Sequence, residues 1–125
     1  MRALRIALVV GLAITGGAVV GAGAASASKA NRVEMIYSGS TGMYWENYVR
    51  SHTDKSDIVF DMNESESDFK GGDVALKYES NEKVFASSTV GNGPVLLAKN
   101  WGPTRFRFGF HGGIATGKMV ATLTY

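Results

Sequence analysis

Residues 104–111, Thr-Arg-Phe-Arg-Phe-Gly-Phe-His, alternate two kinds of side chain with a period of two. In an extended chain Phe106, Phe108 and Phe110 fall on one face, and Arg105 and Arg107 on the other. Successive side chains of a strand point to opposite faces, so this is the pattern of a half-buried strand. Burying three such rings contributes several kcal/mol. Gly109 stands on the arginine face, where a strand glycine is expected to mark a bulge.

The same texture runs through residues 28–125. Apolar and β-branched runs at 32–37, 43–50, 57–62, 73–79, 83–90, 95–99, 104–111 and 118–125 are separated by turn-forming clusters at 38–42, 71–72, 91–94, 100–103 and 112–113. Short strands at this spacing predict an all-β fold, an antiparallel β-sandwich of about seven or eight strands. Residues 118–125 alternate too, with Met119, Ala121, Leu123 and Tyr125 opposite Val120, Thr122 and Thr124. They are expected to pair with 104–111 as a hairpin over the loop 112–117. In 43–50 the strand reading buries Met43, Trp45 and Val49 and turns Tyr44, Glu46, Tyr48 and Arg50 outward. A helix would gather Tyr44, Trp45 and Tyr48 on one side, and the strand is favoured. The acidic stretch 63–69 reads as a solvated loop.

The beginning of the chain has a different character. Arg2 and Arg5 precede a stretch, 6–28, without a charged residue, which ends on Ala25-Ser26-Ala27. A basic start, an apolar middle and a small-x-small close are the marks of a secretory signal peptide. A retained membrane anchor is the competing reading, but Gly11, Gly16, Gly17, Gly21 and Gly23 dilute the apolar run. The expectation is a cleaved signal peptide at 1–27, a single domain at 28–125, and no membrane association after cleavage. Cysteine is absent. Small exported eukaryotic domains usually carry disulfides, so a secreted protein of a bacterium, Gram-positive in type, is expected.

The precursor's net charge of +2 comes from Arg2 and Arg5, which leaves 28–125 formally neutral. A uniformly basic nucleic-acid binder is therefore disfavoured. All eleven carboxylates lie between Glu34 and Glu82, and only basic charges follow: Lys83, Lys99, Arg105, Arg107 and Lys118.

Motifs for chemistry are incomplete. Residues 112–119 approach a phosphate-binding loop, but Met119 stands where Ser or Thr would hold magnesium, and no helix can follow. Asp61, Asn63 and Ser65 open like a calcium loop, but Glu66 stands in the glycine position and Gly72 in the glutamate position. A looser calcium site could draw only on Asp61, Glu64, Glu66 or Asp68. Asn63-Glu64-Ser65 is a formal glycosylation sequon without meaning in most bacteria. His52 and His111 are the two histidines, and a zinc site would need both. No Gly-x-Ser-x-Gly elbow is present. No catalytic residue, metal or cofactor is assigned, and a hydrolase ranks third among the functional readings.

The aromatics carry the best functional signal. Phe60, Phe85, Phe106, Phe108, Phe110 and Trp45 read as core. Tyr44 and Tyr48 fall on the polar face of their strand, and Trp101 lies in a Gly/Pro turn. Exposed rings stack on sugars or fill a partner's pocket. Tyr44, Tyr48 and Trp101, with Arg105 and Arg107 as polar neighbours, are the expected ligand-binding residues. The expected role is non-catalytic recognition of a glycan or an extracellular protein at or beyond the cell envelope. Residues 44–59, with Asn47-Tyr48 followed by polar residues and a return to β-forming ones, are similar to a stretch of the lactococcin-type bacteriocins, which are also cysteine-free, exported and all-β. The alternative that this resemblance implies is a small secreted antibacterial or inhibitory protein acting through its surface.

Overall fold

A computed structural model describes residues 28–125, and the expected signal peptide lies outside the described residues. The described chain forms nine strands: β1 Ala30–Tyr37, β2 Tyr44–Trp45, β3 Arg50–His52, β4 Ser56–Met62, β5 Gly72–Tyr78, β6 Val84–Val90, β7 Val95–Trp101, β8 Thr104–His111 and β9 Gly117–Thr124. They build two antiparallel sheets. One runs β1-β9-β4-β7, and the other β2-β8-β5-β6, with β3 following β2 along the same side of β8. The expected all-β sandwich is what forms, with one long strand divided in two.

The alternation read from β8 sets the core. Phe106, Phe108 and Phe110 are fully buried on the inner face of the five-stranded sheet, beside Val74 and Leu76 of β5. Facing them are Val33, Met35 and Tyr37 of β1, Ile58 and Phe60 of β4, and Met119, Ala121 and Leu123 of β9. Phe108 stacks on Phe60 across the two layers, with centroids 5.4 Å apart and planes 13° apart. Each fully buried side chain of this kind contributes about 1.5–3 kcal/mol.

β8 and β9 are not a hairpin. They belong to different sheets, and the loop between them crosses from one layer to the other. The crossing lets the phenylalanine face of β8 cover the apolar face of β9, which side-by-side pairing would leave uncovered. The loop is held by the Tyr37 hydroxyl, which donates to Gly113 O at 2.8 Å, and by Ser40 N–H, which donates to the same carbonyl at 3.2 Å. A side chain at Gly39 would stand 2.8 Å from Ile114 O, and Gly39 has a φ of 76°, so glycine suits this contact on both counts.

One further expectation is corrected and one is qualified. Gly109 marks no bulge: β8 pairs with β5 through six consecutive positions without a register shift. Residues 63–69 form a loop that is open to solvent as expected, except at its end. Phe69 is buried against Tyr37 and Phe110, at 5.6 and 5.2 Å between centroids. The loop backbone is tied to β9, with Asn63 N–H donating to Val120 O, Asp68 N–H to Lys118 O, and Lys118 N–H to the Asp68 carboxylate. Ser67 Oγ also donates to Val120 O and accepts from Val120 N–H, so the polar side chains that make the stretch look solvated are partly used in tying it to β9.

Candidate functional site

The segment 43–50 departs most from its sequence reading. It makes two short strands on β8, interrupted between Trp45 and Arg50. Pairing places Tyr44 opposite Phe110 and Trp45 opposite Gly109. Opposed residues share a face, so Tyr44 lies on the core side and Trp45 on the outside, the reverse of the expectation. The reason is Gly109. A side chain there would meet the Trp45 ring at 2.6 Å and Met43 at 2.7 Å, so the bare backbone accepts a large ring on its outer surface. Lys77 Nζ lies 4.5 Å from the Trp45 ring centroid on that face. Tyr44 meets Tyr37 edge-on at 5.8 Å and stays 38% exposed at the sheet margin.

The interruption is built around a charge. Arg50 is buried at 6% exposure, although a simple alternation turns it outward. Its guanidinium donates to both carboxylate oxygens of Glu46 at 2.8 Å and to the Tyr125 hydroxyl at 3.1 Å. Burial acts to lower the Arg50 pKa and is the largest single influence, but the hydrogen bonds and charge interactions with Glu46 and Tyr125 together outweigh it and hold the group firmly charged. Arg107 fastens the same turn from the outer face, donating to the carbonyls of Glu46 and Asn47. Between these two arginines the chain bends outward and presents Tyr48, which is 63% exposed. The Arg50 guanidinium carbon lies 4.9 Å from the Tyr48 ring centroid.

Four of the five expected site residues lie along the β2–β3 margin but not on one face, since Tyr44 is on the core side and Arg105 and Arg107 are on the outer side. Tyr48 and Tyr44 carry exposed ring surface, Arg107 braces the turn, and Arg105 is exposed opposite Ser51 of β3. Trp101 is placed apart from them. It ends β7, pairs with Ser56, and stacks on Phe85 at 5.0 Å with planes 10° apart. Phe85 in turn stacks on Tyr78 at 4.5 Å. Trp101 is half-buried in a three-ring stack that closes the sandwich between β6 and β7, a role hidden by its Gly/Pro neighbours in sequence. Glu46 and Arg50 were missed as a unit. Their four-residue spacing is a helix signal, whereas here a turn brings them together.

The two histidines serve separate contacts. His52 is buried, with Nδ1 2.9 Å from Gly102 O and Nε2 2.9 Å from the buried Ser56 hydroxyl. A carbonyl can only accept, so in the neutral ring Nδ1 donates and the Ser56 hydroxyl donates to Nε2. This ties β3 to β4 and to the β7–β8 connection. His111 Nδ1 lies 3.6 Å from an Asp73 carboxylate oxygen, and its Nε2 is 3.1 Å from Ser40 O.

Among the described residues no group of three or more His, Asp or Glu side chains is placed to hold a metal ion. The acids of 61–68 are directed elsewhere. Glu66 takes the Arg32 guanidinium at 2.8 Å, and that hydrogen bond is the main reason its carboxyl sits below the ordinary range. Asp61 borders a polar depression of about 520 Å³ that Asn63, Glu64, Ser65, Asn92 and Thr122 also line. Partial burial raises the Asp61 pKa above the ordinary value, although the residue keeps solvent contact. A raised carboxyl pKa means that the charged form is disfavoured in the folded state. Its penalty is present above the folded pKa and disappears as pH falls below the unfolded value. Asp61→Asn should therefore raise the thermal midpoint slightly at neutral pH and lose that advantage in acid. A neutral-pH midpoint below wild type would contradict this.

No protein-family model matches the chain, and neither a curated protein nor a solved structure matches it.

Proposed function

We propose that this chain is a secreted, non-catalytic binding module, and that the turn carrying Tyr48 is its recognition element. The observation that carries the reading is the pairing of exposure with rigidity. Tyr48 is 63% exposed, and its turn is fastened by a buried ion pair on one side and by Arg107 on the other. An aromatic ring presented on a preorganised turn gains contact area at a low entropic cost, which is how interface anchors work. Tyr44 leaves part of its ring exposed at the same margin, and Arg105 adds an exposed charge opposite Ser51 of β3. The partner is an extracellular protein or a glycan at or beyond the cell envelope.

The second reading is a small secreted antibacterial or inhibitory protein that acts through the same projecting turn. A growth-inhibition assay with purified protein on neighbouring bacterial species separates the two.

The direct test uses residues 28–125, which contain all nine strands, in pull-downs against cell-wall polysaccharide and against secreted proteins. Tyr48→Ala should weaken whatever binding is found by about 1–3 kcal/mol. It should lower stability, read from urea midpoints, by no more than about 1 kcal/mol, the worth of the ring's contact with the Arg50 guanidinium. Undiminished binding by the variant would remove Tyr48 from the site.

A further inference from the structure

The four margins of the two sheets are not alike. β7 pairs with β4 through two register shifts, β6 pairs with β5 through one, and the β2–β3 margin is interrupted by the Tyr48 turn. Bulges and interruptions of this kind blunt a sheet edge against further pairing. β1 has neither. It pairs with β9 through eight consecutive positions in unbroken register, and among the described residues β9 is its only strand partner. It is a long, regular edge.

Its backbone polarity follows from one reciprocal contact. Lys29 N–H donates to Tyr125 O, and Tyr125 N–H donates to Lys29 O. In an antiparallel ladder alternate residues bond to the same neighbour, so the odd-numbered residues of β1 direct their amides and carbonyls to β9. Ala30, Arg32, Glu34 and Ile36 direct theirs to the open edge. The side chains of these same four residues lie on the outer face, away from the core, and all four are exposed.

We propose that two copies of this chain associate by antiparallel pairing of their β1 strands, with Arg32 of each copy opposite Glu34 of the other. Backbone polarity requires even-numbered residues to face even-numbered ones. Among the two-fold registers centred within the strand, centring on Arg32 or on Glu34 sets like charges against each other. Centring on Val33 sets Arg32 opposite Glu34 twice and Ala30 opposite Ile36 twice. All eight outward backbone groups then find partners, and two four-stranded sheets become one of eight strands. The arrangement is isologous, so each copy offers the same surface. Within one chain Arg32 holds Glu66 at 2.8 Å and Glu34 at 3.1 Å, yet the Arg32 and Glu34 side chains stay 54% and 51% exposed, which leaves both accessible to a second copy. Ile36, 64% exposed, gains cover opposite Ala30. The charge pattern selects a second copy over an unrelated strand because it is complementary to itself when reversed.

The test is sedimentation equilibrium on protein expressed from the full sequence and purified. Wild type should show a concentration-dependent mass approaching two copies. Glu34→Arg places arginine opposite Arg32, and Arg32→Glu places glutamate opposite Glu34. Each variant alone should raise the dimer dissociation constant at least tenfold. Mixed together, the two restore opposite charges in every row, and the mixture should regain the dimer mass. That recovery cannot come from misfolded protein. Three results would each overturn the proposal: a wild-type monomer at millimolar concentration, a dimer indifferent to either charge reversal, or a mixture that stays monomeric.

Discussion

Glu46→Ala should cost about 3 kcal/mol of stability, the low end of the range for breaking a buried ion pair. The loss does not reflect the net worth of the pair, since two charges taken from water repay little more than their desolvation. It reflects what remains: a guanidinium at 6% exposure with only the Tyr125 hydroxyl left to accept from it. The Arg50 charge cannot be discharged at ordinary pH to escape the penalty. A second variant isolates the cause. Replacing both members, Glu46→Leu with Arg50→Met, removes the stranded charge and should recover much of the lost stability, because well-packed apolar substitutes for a buried pair are often neutral. Urea midpoints of the three proteins check this. A double variant as unstable as Glu46→Ala would show that the turn depends on the charges themselves. Any binding that Tyr48 supports should weaken in both variants, since the turn loses its clamp in each.

That clamp also marks the limit of what the sequence discloses. The all-β class and most strand positions are legible because alternation and turn chemistry are local properties. Phe106, Phe108 and Phe110 announce a buried face by themselves, and β8 obeys them. Contacts between distant segments leave weaker traces. Nothing near Gly109 says that Trp45, sixty-odd residues earlier, will lie over it, so the faces of β2 are read in reverse. The rule that buries a strand's large rings on the core side fails where a glycine provides a second apolar surface outside. Arg50 is misread for a related reason. Its burial depends on Glu46 and on Tyr125, and alternation assigns a charged residue to solvent unless its partners are known. β8 and β9 look like a hairpin because their loop is short, but two strongly apolar faces gain more by stacking across the sandwich than by lying side by side. Of the expected site residues, Tyr48 is exposed as alternation predicts, but on a turn rather than a strand, and Tyr44 lies on the core side of its strand instead of the outer one. Trp101 looked exposed because its stacking partner, Phe85, lies on a strand of the other sheet.

Phe108→Ala should be among the most damaging single substitutions in the molecule, at about 3–5 kcal/mol. The ring is fully buried, pairs in register with Leu76, and stacks on Phe60 of the facing sheet, so its removal opens a void between the two layers. Neighbours held in two paired sheets cannot easily collapse into such a void, which places the cost in the upper part of that range. For a domain of this size the thermal midpoint should fall by roughly 12 °C or more. Trp101→Ala should fall between Phe108→Ala and Tyr48→Ala. Its ring is half-buried and loses one stacked neighbour, Phe85, whose other face still rests on Tyr78. A cost of about 2–3 kcal/mol follows from a partial cavity together with the loss of an aromatic pair worth about 0.5–1.5 kcal/mol beyond its area. The order Phe108, Trp101, Tyr48 separates core ring, closing ring and presented ring in one urea series. If Trp101→Ala proved as silent as Tyr48→Ala, the stack on Phe85 would not be closing the sandwich. Trp101 would then belong with the tyrosines as a surface ring. If Tyr48→Ala proved as costly as Phe108→Ala, its ring would be part of the fold, and the binding surface would lose its anchor.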